Sequence, residues 1–400
     1  MTDKRYWLWL QMCLGEGAKF GEILEDFGSV EKLYESNILE WKMSPALTRQ
    51  QIERLTRCTL DDTKKIIDVC NENQWSIITY DDERYPERLR EIINPPAVLY
   101  VDGSIDGFES LAAVAIVGTR KASTYALKAA HIMAKGFALC GGAVISGGAL
   151  GVDSAAHRGA LEAGGKTYAV LGCGFGTRYL DENEELRNQI KASGGALITE
   201  YPPNAPATKY TFPMRNRIIS GLSLGVLVVE AGEKSGSLIT ANFAAEQNRD
   251  IFAIPASIFD SNFLGTNLLI DDGAVVATSP AVLVGAYAER FETLKTDELL
   301  TVKELAKIGD SHKKNTPKSD QIAFDNMPND RAKRVQITGR VLDLPPKEKA
   351  VYDVLGDELL GIEAVAEKAK MNLNEVLSSL TLLEMKGLIL SASGKRYKIR

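Results

Sequence analysis

The sequence has little of what builds a disulfide scaffold or a metal centre. Its five cysteines (Cys13, Cys58, Cys70, Cys140, Cys173) are odd in number, widely spaced and without a CxxC pair. That pattern argues against a disulfide framework and against a zinc site. None of the three histidines lies beside a cysteine, so no metal or other cofactor is expected and the cysteines read as reduced thiols of a cytoplasmic protein. Long hydrophobic runs are missing too. The apolar stretch in the opening MTDKRYWLWLQMCLGEGAKF is interrupted within a few positions. It is too short to span a bilayer and lacks the small-residue cleavage site of a secretory signal, so no membrane partner is expected. Positive charge is in short supply: 47 Lys and Arg against 53 Asp and Glu leave a net charge of −6. Taken alone, that disfavours a nucleic-acid binder. Net charge governs long-range steering, however, and a cleft can be basic on an acidic protein. What matters is where the cations sit.

What remains is ordinary globular material: 400 residues, 45% hydrophobic and 25% charged, enough for two or three domains. Residues 1–75 carry apolar residues at helical spacing, with Ser29 and Asp61 or Asp62 as candidate caps, and read as a small all-helical domain. In the stretch that follows, Pro95 and Pro96 forbid helix and set up an extended run over 97–101. Short strands rich in Val, Ala and Ile then alternate with amphipathic helices: 113–117, 143–145, 167–171, 196–199, 225–229 and 250–254. Strands apolar on both faces and separated by helices imply a parallel sheet covered on both sides. The fold class is therefore α/β, an extended Rossmann-type doubly wound parallel sheet over 76–290. Residues 291–343 read as a linker, polar over 309–340. Residues 344–400 show three helical segments, then a hairpin turning at Gly394, the winged-helix layout.

In an open α/β sheet, ligands sit at the carboxyl ends of the strands. After the first strand comes GTRKASTY, where Gly118 allows a tight turn before a helix and Arg120 offers a planar fork to a phosphate. After the second comes SGGALG, with Ser146, Gly147 and Gly148, a second phosphate cradle. One glycine-rich loop is a weak signal; two consecutive ones in such a sheet are a stronger one. A further segment combines Lys209, Arg215 and Arg217 with Tyr210, Phe212 and Asn216. Interleaved cations and aromatics suit a single strand, whose bases stack on rings while cations follow the backbone. Ser235, Gly236 and Ser237 open another helix. Asp153 and His157 lie four apart, but no nucleophile or metal partner accompanies them, so they read as structural.

The ordered segments GTRKASTYA, SGGALGVDSAAH, VLGCG, FPMRNRIISGLS and EAGEKSGSLITA resemble the DNA-processing protein family DprA, also called Smf. The likeness spans roughly 75–285. The helical amino end, as a small SAM- or helix-hairpin-helix-like domain, and the winged-helix carboxyl end match longer family members more loosely. The resemblance implies a homodimeric, non-enzymatic single-stranded DNA binder that protects incoming strands and helps load the recombinase RecA in natural transformation. It maps the DNA pocket onto Gly118, Arg120, Ser146, Gly147, Gly148, Lys209, Phe212, Arg215, Asn216, Arg217, Ser235, Gly236 and Ser237. Thr119 stands where the family more often has serine, and a hydroxyl is kept.

Two rival readings are weaker. The fold and glycine loops are also similar to nucleoside-monophosphate phosphoribohydrolases of the LOG family, whose PGGxGTxxE glutamate serves the glycosidic chemistry. Here Ile239 stands near that position, so the carboxylate needed for acid–base help is missing. A nicotinamide-dependent oxidoreductase fails on glycine spacing, since neither loop carries GxGxxG.

Overall fold

A computed structural model describes residues 2–179, 181–301, 304, 344–355, 360–385, 388–392 and 396–399. They fall into two compact units, divided between residues 316 and 317.

The first unit opens with six short helices: α1 (Lys4–Leu14), α2 (Phe20–Phe27), α3 (Val30–Glu35), α4 (Ile38–Met43), α5 (Arg49–Leu55) and α6 (Lys64–Glu72). Local chemistry starts several of them. Ser29 caps α3, and reciprocal capping boxes close the starts of α4 (Asn37 with Glu40) and α5 (Thr48 with Gln51). Read from the sequence as a domain of their own, these helices share their core with the sheet. Trp7, Trp9, Leu10, Phe20 and Leu33 pack in one buried cluster with Val98, Tyr100, Ala169, Leu171 and Leu197.

The sheet has nine strands: β1 (Ser76–Thr79), β2 (Val98–Gly103), β3 (Ala113–Val117), β4 (Ala143–Ser146), β5 (Thr167–Val170), β6 (Ala196–Thr199), β7 (Gly225–Val228), β8 (Asp250–Ala253) and β9 (Val275–Val276). Their spatial order is β1-β2-β6-β5-β4-β3-β7-β8-β9. The seven strands β6 to β9 run parallel, as their double-sided apolar character requires. The sequence left β1 and β2 as an entry segment. They pair antiparallel with each other, and β2 pairs antiparallel with β6, extending that edge. Helices α7 (Glu87–Arg90), α8 (Thr124–Leu139), α9 (Val152–Glu162), α10 (Glu184–Ala192), α11 (Thr211–Gly221), α12 (Gly236–Glu246), α13 (Leu264–Asp271) and α14 (Pro280–Tyr287) complete the unit. Separate apolar clusters fill each face of the parallel strands. The chain runs outward from β3 through β4, β5 and β6, then returns to place β7 on the other side of β3. Strand order therefore reverses between β3 and β7, the crevice where this class of fold takes its ligand.

The second unit contains α15 (Pro346–Val354), β10 (Leu360–Gly361), α16 (Ile362–Ala369), α17 (Leu373–Met385), β11 (Ile389–Ala392) and β12 (Arg396–Ile399). The strands form a small sheet in the order β10-β12-β11, and Val351, Val365, Val376, Leu380 and Leu383 make its core. This is a winged helix. The hairpin turn at Gly394, Lys395, Arg400 and most of the 291–343 linker lie outside the described residues.

Candidate nucleic-acid interface

The cleft lies at the carboxyl ends of β3 and β7. It holds about 460 Å³ and is lined by Gly118, Thr119, Arg120 and Lys121, by Asp153 of α9, by Phe212, Arg215 and Asn216 of α11, and by Ser235, Gly236, Ser237 and Thr240 around the start of α12. Four separate stretches of sequence thus converge on one place.

The loop after β3 is held at both ends. The Thr119 N–H donates to the carbonyl of Glu230 at 3.0 Å, and Ser123 caps α8 by accepting from the Ala126 N–H. Between them Arg120 is exposed, with its guanidinium carbon 4.7 Å from the centre of the Phe212 ring. No ion pair involves Arg120 among the described residues. The half-buried Phe212 ring also meets Tyr179, centroids 5.1 Å apart and planes tilted by 44°. The ring is thereby fixed while its charged cover remains open to solvent.

The loop after β4 forms the support beneath. Arg215 reaches down from α11, and its Nη1 donates to the carbonyls of Gly147, at 2.8 Å, and of Val170. A Cβ at 147 would lie 2.6 Å from Asp153 Oδ2 and 2.8 Å from Arg215 Nη2, so a larger residue there would displace these two buried side chains. Gly151, at φ +80°, would place a Cβ 2.5 Å from the carbonyl oxygens of both Thr119 and Arg120, so the two glycine loops touch backbone to backbone. Burial raises the Asp153 carboxyl above its usual range, while Arg215 and the Ala149 N–H pull it back. Burial likewise lowers Arg215, opposed by Asp153.

The third wall is the start of α12, an eleven-residue helix capped by Ser235, whose Oγ lies 2.8 Å from that of Ser237. Helix N-termini present N–H groups and a positive dipole end to anions. Asn216 spans the gap to this wall, its Nδ2 donating to the Gly236 carbonyl at 3.4 Å.

Of the residues picked from the sequence, Gly118, Arg120, Phe212, Arg215, Asn216, Ser235, Gly236 and Ser237 are brought together in the cleft. Lys209 stands outside its lining, exposed, its ammonium 5.0 Å from the Tyr210 ring centre. Ser146, Gly147 and Gly148 are buried beneath the floor, and the Ser146 hydroxyl is spent on the Ile116 carbonyl at 2.6 Å. Arg217 departs furthest from the expected position. It is 3% exposed and locked to Glu200 through both nitrogens, at 2.8 and 2.7 Å. Residues two apart on a helix point about 200° apart, so 215 and 217 cannot both face the cleft. Lys121, Thr240 and Asp153 line the cleft without a motif that marks them, although Lys121 stands directly beside Arg120 in the sequence. His157 does not meet Asp153: its Nδ1 lies 2.7 Å from Thr167 Oγ1, and burial depresses its pKa to about 3. Ile239 lines the cleft where the LOG-type reading would need a carboxylate. Among the described residues no cluster of three or more His, Cys, Asp or Glu could hold a metal, and no helix is long and apolar enough to cross a membrane.

Residues 76–287 match the family described as DNA recombination-mediator protein A, and residues 340–395 match the DprA winged helix domain. The chain belongs to the DprA/Smf family. It is 32% identical to the Protein Smf of Escherichia coli over 354 residues, covering 88% of this chain and 85% of that one. It is 39% identical to the DNA processing protein DprA of Bacillus subtilis over 226 residues, 56% of this chain and 76% of that one. The solved structure of DprA from Streptococcus pneumoniae superimposes with a TM-score of 0.61 at 32% identity, covering 73% of this chain and 99% of that one.

Proposed function

We propose that this DprA/Smf protein binds single-stranded DNA in the β3–β7 cleft, as a cytoplasmic homodimer that protects incoming strands and passes them to RecA during natural transformation. The observation that carries the reading is the Arg120 guanidinium stacked on Phe212 at the mouth of a cleft walled by the start of α12. A ring takes the face of any base, and an unpaired cation with a helix N-terminus takes the phosphate beside it. None of these groups reads a base edge, so binding is indifferent to sequence. Lys209 and Tyr210, exposed on the rim, extend the same chemistry outward.

The homodimer reading is supported by an apolar sheet edge. Phe259 is 93% exposed and Ile258 81%, and Leu264 and Leu268 of α13 and Val275 and Val276 of β9 are also exposed. Exposed apolar side chains on and beside a terminal strand invite a second copy.

The test is fluorescence anisotropy of a labelled poly-dT oligonucleotide with unlabelled duplex as competitor. Wild type binds the single strand, duplex competes poorly, and Lys209→Glu weakens binding. No binding, or equal preference for duplex, refutes the reading. Release of base from nucleoside monophosphates would replace it with the hydrolase alternative.

A further inference from the structure

We infer that Glu230 is a positioning residue of the DNA cleft, fixing the loop that carries Arg120. The inference rests on the single-strand reading above. Glu230 lies two residues beyond the end of β7 and is 2% exposed. It grips the β3 loop at two points four residues apart. Its main-chain carbonyl accepts from the Thr119 N–H at 3.0 Å. Its Oε2 accepts from both the N–H and the hydroxyl of Ser123, at 2.8 and 2.6 Å. Ser123 Oγ in turn accepts from the Ala126 N–H at 3.2 Å, passing the tether into the first turn of α8. The span between the grips contains Arg120 and Lys121, the two cations that line the cleft mouth.

A buried carboxylate near an anion site repels the anion, so it needs a compensating role. Here one oxygen holds two donors at charge-assisted distances, and its charge faces the positive end of the α8 dipole. With Thr119 and Ser123 both tied, the backbone that launches the Arg120 side chain has little freedom left. The entropy of ordering it has then been lost on folding and is not charged against binding. The same residue begins the Glu230–Ser235 segment that leads to the α12 cap, so one residue, through its carbonyl and its carboxylate together, sets the spacing of two walls of the cleft.

The test is a double-mutant cycle on the full chain, read by poly-dT anisotropy across a salt series. Glu230→Gln keeps the size and weakens the tether, so affinity falls by about tenfold, the value of a hydrogen bond to a charged group. Its salt slope falls toward that of Arg120→Ala, which loses about 0.7 for one phosphate contact. In the Arg120→Ala background Glu230→Gln causes no further loss, because both act through one contact. Should Glu230→Gln fail to fold by circular dichroism, Ser123→Ala removes the hydroxyl half of that grip and keeps its N–H, so binding weakens by less, and Ser123→Thr, which retains the hydroxyl, restores it. Wild-type binding with additive losses and an unchanged slope overturns the positioning role alone. Absence of wild-type binding overturns this role and the single-strand reading together.

Discussion

Replacing Phe212 by alanine separates the stacking contribution from the charge contribution. The ring is half-buried, with Arg120 over it and Tyr179 tilted against it. Losing half of a phenylalanine's burial costs about 1 kcal/mol, small against the roughly 5–15 kcal/mol that hold a domain together, so the variant folds. Its binding suffers more. A base stacked on an aromatic side chain contributes about 1–3 kcal/mol, and the exposed cation–π contact that orients Arg120 adds about 0.5–1 kcal/mol. At 1.4 kcal/mol per decade, the affinity for poly-dT falls by between about tenfold and several hundredfold. The salt dependence separates the two contributions. Its slope counts phosphate contacts, so Phe212→Ala leaves it unchanged while Arg120→Ala lowers it by about 0.7. Anisotropy titrations at four or five salt concentrations measure both quantities. An affinity loss smaller than about twofold would refute stacking on this ring. A slope change equal to that of Arg120→Ala would show that the ring serves only to hold the arginine.

Arg217→Ala strips the partner from a buried Glu200 and lowers stability by about 3–5 kcal/mol in urea unfolding. Intact stability with a large loss of DNA affinity would return Arg217 to the contact surface. His157, neutral when buried, has its pKa depressed from 6.5 to about 3. The unfolded chain therefore binds the extra proton, and the stability present above pH 6.5 is lost toward pH 3 at up to about 1.4 kcal/mol per pH unit. His157→Gln flattens this profile in urea midpoints taken from pH 7 to 4; an unaltered profile would remove the histidine as its cause. Ile258→Glu with Phe259→Glu halves the mass seen by sedimentation equilibrium, and a monomeric wild type would refute the apolar edge as an interface.

Much of this architecture was legible in the sequence because parallel strands carry an unmistakable pattern. The six strands from 113 to 254 were placed within a residue of their observed ends, since each is apolar on both faces and bounded by turn residues. The antiparallel β1 and β2 were read only as an entry segment, because pairing partners are not written in local periodicity. The same limit applied to the core shared by the amino-terminal helices and the sheet, which joins Trp9 to Leu197 across the chain. Within the cleft, strand-end loops identified Gly118, Arg120 and the Ser235–Ser237 turn. The direction of each side chain on α11 was beyond motif reading: spacing put Arg215 and Arg217 in one basic cluster, and the fold sent one into the cleft and the other to Glu200.

The shared core also sets a schedule for synthesis. Helix α1 leaves the ribosome early, yet the β6 residue Leu197, against which its cluster closes, comes roughly 180 residues later. At about 5–20 residues per second, Trp7, Trp9 and Leu10 wait about 10–40 s for their packing surface. During that interval Trp7 and Trp9 have only their partners within the amino-terminal helices, such as Phe20 and Tyr34, and the rest of the cluster stays open, a natural substrate for holding chaperones. Trimming the chain before β1 exposes the converse hazard: Val98, Tyr100 and Leu171 would meet water, and the cleft would be obtained on a sheet prone to aggregate.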